Sequence, residues 1–154
     1  MAPTSVTYDA PGWGTGELWL DAGRPAWHAM PVAGRTAVTG DHPLADRLTR
    51  YFSGEPVAFD DVPLAAAWPT AFQEALADTL RAVPRGEVVT YGELAALAGR
   101  PGAARAAGTF CALNPLPILV PCHRVVAANG IGGYGSLGVE YKRRLLALER
   151  NATL

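Results

Sequence analysis

The sequence predicts an α+β fold: a small N-terminal β-sheet and helix domain, then a mostly helical C-terminal domain with a helix-turn-helix and an unusual cysteine. Three observations predict it. Near Thr70 the apolar pattern changes from short aromatic runs bounded by Gly and Pro to a helical period. Three prolines interrupt EPVAFDDVPLAAAWP, residues 55–69, which reads as a connector. The charge also divides there: residues 1–67 hold four Arg against eight Asp and Glu, and residues 68–154 hold nine Lys and Arg against six acids. The expected domains are therefore 1–67, with its connector, and 68–154.

GELWLDA (16–22) and PAWHAMPV (25–32) read as strands of a small antiparallel sheet. DHPLADRLTRYFSG (41–54) spaces Leu44, Leu48 and Tyr51 as a helix, with Gly54 as its stop. From Thr70 a longer helix is predicted, because Phe72, Ala75, Leu76, Thr79, Leu80 and Val83 recur on one face; Pro84 and Gly86 end it. Thr90-Tyr91-Gly92-Glu93 is a capping box for a short helix that Gly99 closes. Pro101 suits the first turn of a third helix running to about Leu113. Two short helices around Gly-Arg-Pro-Gly make a helix-turn-helix candidate, and YKRRLLALER forms a final helix.

The 49% hydrophobic content suffices for a core, and no apolar run approaches the roughly 18 residues of a membrane span. With two cysteines and no signal-like start, the expectation is a cytoplasmic monomer with reduced thiols and no membrane partner. A polyanion would meet the basic second half.

A base-reading helix needs several long polar side chains on its outer face. PGAARAAGTFCALN offers Arg105 alone, with Ala104 and Gly108 one turn apart. Two readings stand side by side: a helix that approaches DNA through shape and phosphate, with Arg105 inserted where a base has left, or an Ala-rich packing helix. In ILVPCHRV, Cys122 is followed directly by His123. Neighbours on an extended segment face opposite ways, so a bridging water would have to connect thiol and imidazole, with Glu149 as an acid to orient the ring. A buried cysteine beside a satisfied core histidine is the plain alternative. The ordinary reading of Tyr91 is a hydrophobic residue in a first helical turn.

The whole of residues 72–149, through PRGEVVTYGELA, AARAAG, NPLPILVPCHRV and KRRLLALE, resembles the O6-alkylguanine-DNA alkyltransferases, the methylated-DNA–protein-cysteine methyltransferases. The first half resembles that family only through GELWL and YFSGEPVAF. The resemblance implies a DNA-repair enzyme that binds duplex DNA containing O6-alkylguanine in the minor groove and flips the base. It then moves the alkyl group irreversibly to Cys122, once per molecule, with no cofactor and no metal; O4-alkylthymine is a further substrate it allows. It makes His123 the base through water, Glu149 its orienting acid, Asn114 a brace and Tyr91 the donor that rotates the nucleotide and protonates the leaving guanine. Arg105, Ala104, Gly108 and Thr90 would contact DNA; Pro117, the Val125 carbonyl, Tyr134, Gly135 and Ser136 would line the base pocket. Such a protein would work in the cytoplasm, on the nucleoid. If the His–Glu pair favours thiolate, Cys122 should react well below the ordinary thiol pKa of about 8.5.

The sequence departs from the family's pattern in two places. Phe110 stands where a small residue is common, which would alter close approach to DNA. Without a gap Gly135 takes a tyrosine's place, whereas a gap would align Tyr134. A rival is a non-catalytic relative that recognises O6-alkylguanine and recruits another pathway; such proteins carry tryptophan at the acceptor position, where this chain has Cys122.

Overall fold

The computed structural model describes residues 4–37 and 40–152, so the extreme ends of both expected domains lie outside the described residues. The chain divides into two compact units, one of residues 1–66 with Pro115–Pro117 and the other of residues 67–114 and 118–154. The first thus takes back three residues from the middle of the second half, which no composition shift signals.

The first unit is an antiparallel sheet of β1 (Thr4–Ala10), β2 (Gly14–Asp21) and β3 (Arg24–Val32), in that order. β1 is an addition to the predicted pair. Its signal was a plain alternation, with Val6, Tyr8 and Ala10 buried between more exposed neighbours. β2 pairs with it from Thr4↔Leu20 to Ala10↔Gly14, and Gly16 is small because a Cβ there would strike the Tyr8 ring. Helix α1 (Pro43–Phe52) starts with Pro at its first position, capped by His42, and buries Leu44, Leu48, Tyr51 and Phe52. Phe52 stacks on Tyr8 and meets Trp13 edge-on, which closes the aromatic core of this unit. Residues 55–69 contain neither helix nor strand.

In the second unit α2 (Ala71–Arg81) opens with a capping box of Thr70 and Gln73 and buries Leu76, Ala77 and Leu80. The two-residue strand β4 (Val89–Thr90) runs directly into α3 (Tyr91–Leu97), whose capping box of Thr90 and Glu93 forms as the sequence predicts. The next helix, α4, spans Ala104–Ala112, so Pro101 lies outside it. Gly102 explains the difference: its φ of +88° turns the chain out of helical space after Pro101. A 3₁₀ turn at Cys122–Arg124 leads into β5 (Val125–Val126), and a second 3₁₀ turn at Gly135–Leu137 precedes α5 (Val139–Ala152). β4 and β5 pair in parallel, Val89 with Val125 and Thr90 with Val126. This short ladder fastens the entry of the helix-turn-helix to the segment just after the cysteine.

Candidate active site and nucleic-acid interface

Ile118 to Cys122 is a continuous buried run, and its last bend is set by proline. Pro121 has φ −79° and ψ 67°, an inverse γ-turn, and the Cys122 N–H donates to Val120 O at 2.7 Å. The same carbonyl accepts from Asn114 Nδ2 at 2.8 Å. Cys122 and His123 therefore lie in a 3₁₀ turn and not on the extended segment the sequence suggested. Successive side chains still diverge, by about 120° in a three-residue turn.

The fully buried His123 donates from Nε2 to Glu149 Oε2 at 2.7 Å, and Glu149 is buried too. Sequence reasoning missed the third member. Arg124 forks onto the same carboxylate, Nε to Oε1 at 3.0 Å and Nη2 to Oε2 at 2.9 Å, while Nη1 donates to Val83 O at 2.7 Å. Burial pushes the Glu149 carboxyl up, but the bonds and charges of His123 and Arg124 together hold it well below the usual carboxylate range. For His123 burial outweighs the carboxylate, so its pKa is lowered and the ring rests neutral at pH 7. With Nε2 committed to Glu149 as donor, Nδ1 is the nitrogen with basic character.

Burial also dominates at Cys122 and pushes its thiol up, against hydrogen bonds from Asn114 and Tyr134 and the charge of Lys142. This corrects the expectation of an acidic resting thiol: the His–Glu pair is present, yet the low-dielectric setting favours the protonated sulfur. Of Tyr134 and Gly135, it is Tyr134 whose side chain acts on the Cys122 thiol, lowering its pKa against the effect of burial. Gly135 and Ser136 are exposed in the adjoining turn. Lys142, another residue the sequence analysis passed over, is completely buried. Its Nζ donates to Gly133 O at 3.1 Å and lies 5.8 Å from the centre of the Tyr91 ring. Burial lowers its pKa, and the nearby Cys111 and Cys122 act in the opposite direction. A lysine near the start of YKRRLLALER looks like any surface cation, and only tertiary packing distinguishes it. Cys111 is half-buried, less enclosed than a core residue, and burial raises its pKa strongly.

Tyr91, first residue of α3, is half-buried, and desolvation with the two nearby cysteines raises its pKa, so the phenol keeps its proton. The Thr90 hydroxyl accepts from Glu93 N at 3.0 Å as the helix cap. On α4, Arg105 is exposed, and Ala104 and Gly108 are partly exposed. A Cβ on Gly108 would meet only Tyr91 Cδ1, at an ordinary 3.9 Å, so nothing inside the chain demands glycine there. Phe110 is buried, its ring 5.9 Å from Trp68, which removes it from the outer face and corrects the expected interference with DNA. Val125 is buried in β5. Pro117 belongs to the first unit, where its carbonyl is held by His28. Among the described residues no group of three His, Cys, Asp or Glu could hold a metal, and no helix is long and apolar enough to cross a membrane.

Residues 71–151 match the family described as 6-O-methylguanine DNA methyltransferase, DNA binding domain. The chain is 45% identical over 116 residues to the methylated-DNA–protein-cysteine methyltransferase of Salmonella typhimurium, covering 75% of this chain and 67% of that protein. Identity to the Mycobacterium bovis protein of the same description is 45% over 137 residues, 88% of this chain and 76% of that one. The crystal structure of Mycobacterium tuberculosis OGT in complex with DNA superimposes with a TM-score of 0.81 at 38% identity, covering 96% and 93% of the two chains. Together with the helix pair and the enclosed thiol, these likenesses show that the chain belongs to the methylated-DNA–protein-cysteine methyltransferases, DNA-binding repair enzymes that act by alkyl transfer.

Proposed function

We propose that the protein repairs O6-alkylguanine in duplex DNA by taking the alkyl group onto Cys122, one group per molecule. The observation that carries this reading is the enclosed thiol beside a buried His123–Glu149 pair, with the protonated Tyr91 nearby. In the transfer the Cys122 Sγ–C bond forms as the O6–C bond breaks. The thiol proton leaves through water to His123 Nδ1, where the Glu149 carboxylate stabilises the imidazolium, and Tyr91 protonates the departing guanine. The imidazolium then returns a proton to the phenolate, so the net result is a thioether and a neutral base. A raised resting thiol pKa suits this order: the proton is removed only when the substrate fills the site, and the thiol is inert before that.

Base flipping follows from the enclosure, since an alkyl group within a stacked duplex could not reach a buried sulfur. Arg105 would occupy the gap, and Ala104 and Gly108 would let the α4 backbone approach the groove; the lack of an internal reason for glycine at 108 supports this. Thr90 would donate its hydroxyl proton to a phosphate while its oxygen caps α3. Asn114 and Tyr134 would stabilise the developing thiolate. Pro117, the Val125 carbonyl, Gly135 and Ser136 would complete the base pocket, and O4-alkylthymine would enter the same pocket as a lesser substrate. The protein would work as a monomer on nucleoid DNA. Cys122 itself speaks against a lesion-flagging role without transfer.

Intact mass after incubation with duplex carrying O6-methylguanine should rise by one methyl group and then stop. Cys122→Ala should abolish the gain and keep DNA binding; a label on Cys111, or continued product, would overturn the assignment.

A further inference from the structure

The active-site run is preceded by Pro115-Leu116-Pro117, and its prolines offer carbonyls but no N–H. Donors must therefore come from elsewhere, and one residue of β3 supplies two. The backbone N–H of His28 donates to Pro115 O at 2.9 Å, and its Nδ1 donates to Pro117 O at 2.7 Å. On the other side of the buried ring, Nε2 takes the Tyr8 hydroxyl at 2.7 Å. A carbonyl can only accept, so Nδ1 carries the proton and the tautomer is fixed.

The next residue, Ile118, has φ +75° although it is β-branched and buried. Such a residue stays in left-handed space only when its surroundings hold it there. The Pro117 oxygen lies in the same rigid peptide plane as the Ile118 nitrogen, and rotation of that plane about the N–Cα bond is the φ of Ile118. Fixing the oxygen fixes the angle. Two residues on, the run is held again, by Asn114 at Val120 O, and after two more it reaches Cys122.

We infer that His28 is a positioning residue for the transfer reaction: its Nδ1–H bond to Pro117 O keeps Ile118 in its strained conformation and so sets where the chain delivers the Cys122 sulfur. This rests on Cys122 being the reacting thiol. Without the bond the 117–118 peptide rotates, Ile118 relaxes to negative φ, and residues 119–122 shift relative to Asn114. Tyr8 holds the far side of the ring and is secondary.

The test uses the full chain with His28→Leu, His28→Gln and His28→Asn, each assayed well below its melting temperature. Asn places an amide donor near the position of Nδ1, whereas Gln reaches toward Tyr8. The expected result at saturating O6-methylguanine duplex is a single-turnover rate about tenfold or more lower for Leu and Gln, with Asn recovering to within about threefold and DNA affinity unchanged in all. Iodoacetamide labelling of Cys122 should instead become faster in Leu and Gln, because the released run exposes the thiol; this arm reads the thiol's placement even if methyl transfer fails in the parent protein. If His28→Leu does not fold, Ile118→Gly provides the second route, since glycine adopts φ +75° without restraint. In that background His28→Asn and His28→Gln should differ by less than about twofold. A folded His28→Leu reacting at the parent rate, or equal rates for Asn and Gln in the parent background, would overturn the inference.

Discussion

Arg124→Met removes a guanidinium that makes three bonds, two to the Glu149 carboxylate and one to Val83 O. Glu149 remains buried with His123 as its neutral partner, and Val83 O loses a donor. Breaking a buried ion pair from one side costs about 3–5 kcal/mol, and a buried acceptor deprived of its donor about 1–3 kcal/mol. Arg124 retains some exposure, 12% of its side chain, so water reaches the site and the lower end, about 3 kcal/mol, is expected. With a urea m-value of about 2 kcal/mol per molar, the midpoint should fall by about 1.5 M at pH 7. The sign of the pH dependence is fixed by the depressed Glu149 carboxyl: its stabilisation is fully present above the ordinary carboxylate pKa of about 4.3 and is lost as pH falls below it. In the variant burial is opposed by fewer partners, the carboxyl moves upward, and protonation relieves the stranded charge. The gap between parent and variant should thus narrow between pH 7 and pH 4, and Arg124→Met with Glu149→Met should recover most of the loss. Urea titrations followed by far-ultraviolet circular dichroism measure this. A loss under about 1 kcal/mol, or one equal at both pH values, refutes the reasoning.

Because burial holds the Cys122 thiol up, its labelling by iodoacetamide should keep accelerating through pH 9 without levelling off; a plateau near pH 7 would mean a pre-formed thiolate. Arg105→Ala should slow single-turnover transfer from duplex by at least about tenfold and leave transfer from free O6-benzylguanine near the parent rate; an equal fall on both would assign Arg105 to the fold or the thiol. His28, buried between Tyr8 and Pro117, with Arg35 adding to the effect of burial, has its pKa lowered to about 4. Its contribution is fully present above pH 6.5 and declines as pH falls toward 4. The stability of the parent relative to His28→Asn should therefore drop by about 2 kcal/mol from pH 7 to pH 5; an unchanged difference in urea midpoint would contradict the burial argument.

The local code was readable wherever one residue decides one geometry. Thr90 with Glu93 caps its helix, and helical spacing in 71–81 marks the buried face of α2. Reading failed where a glycine competes with a proline, as at Gly102 after Pro101, which delays α4 to Ala104. It failed again where function depends on packing between distant segments. Arg124 and Lys142 carry no local mark of their burial, because the partners Glu149, Val83 and Gly133 meet them only in the folded chain. Tyr134 was one of two possible alignments, and sequence alone could not choose, since a glycine-rich stretch allows either register.

The parallel pairing of Val89–Thr90 with Val125–Val126 has a consequence for how such a protein drifts and how it can be redesigned. The ladder fixes the chain just beyond the acceptor, and α5 fixes it again from Val139 onward. Between these anchors lie five glycines, at 130, 132, 133, 135 and 138, which widen the backbone conformations open to the segment. A library meant to change which adducts are tolerated should therefore randomise 131–137 and leave 122–126 untouched. A change in the first window would alter the surroundings of Tyr134, which acts on the Cys122 thiol; one in the second would move the sulfur itself.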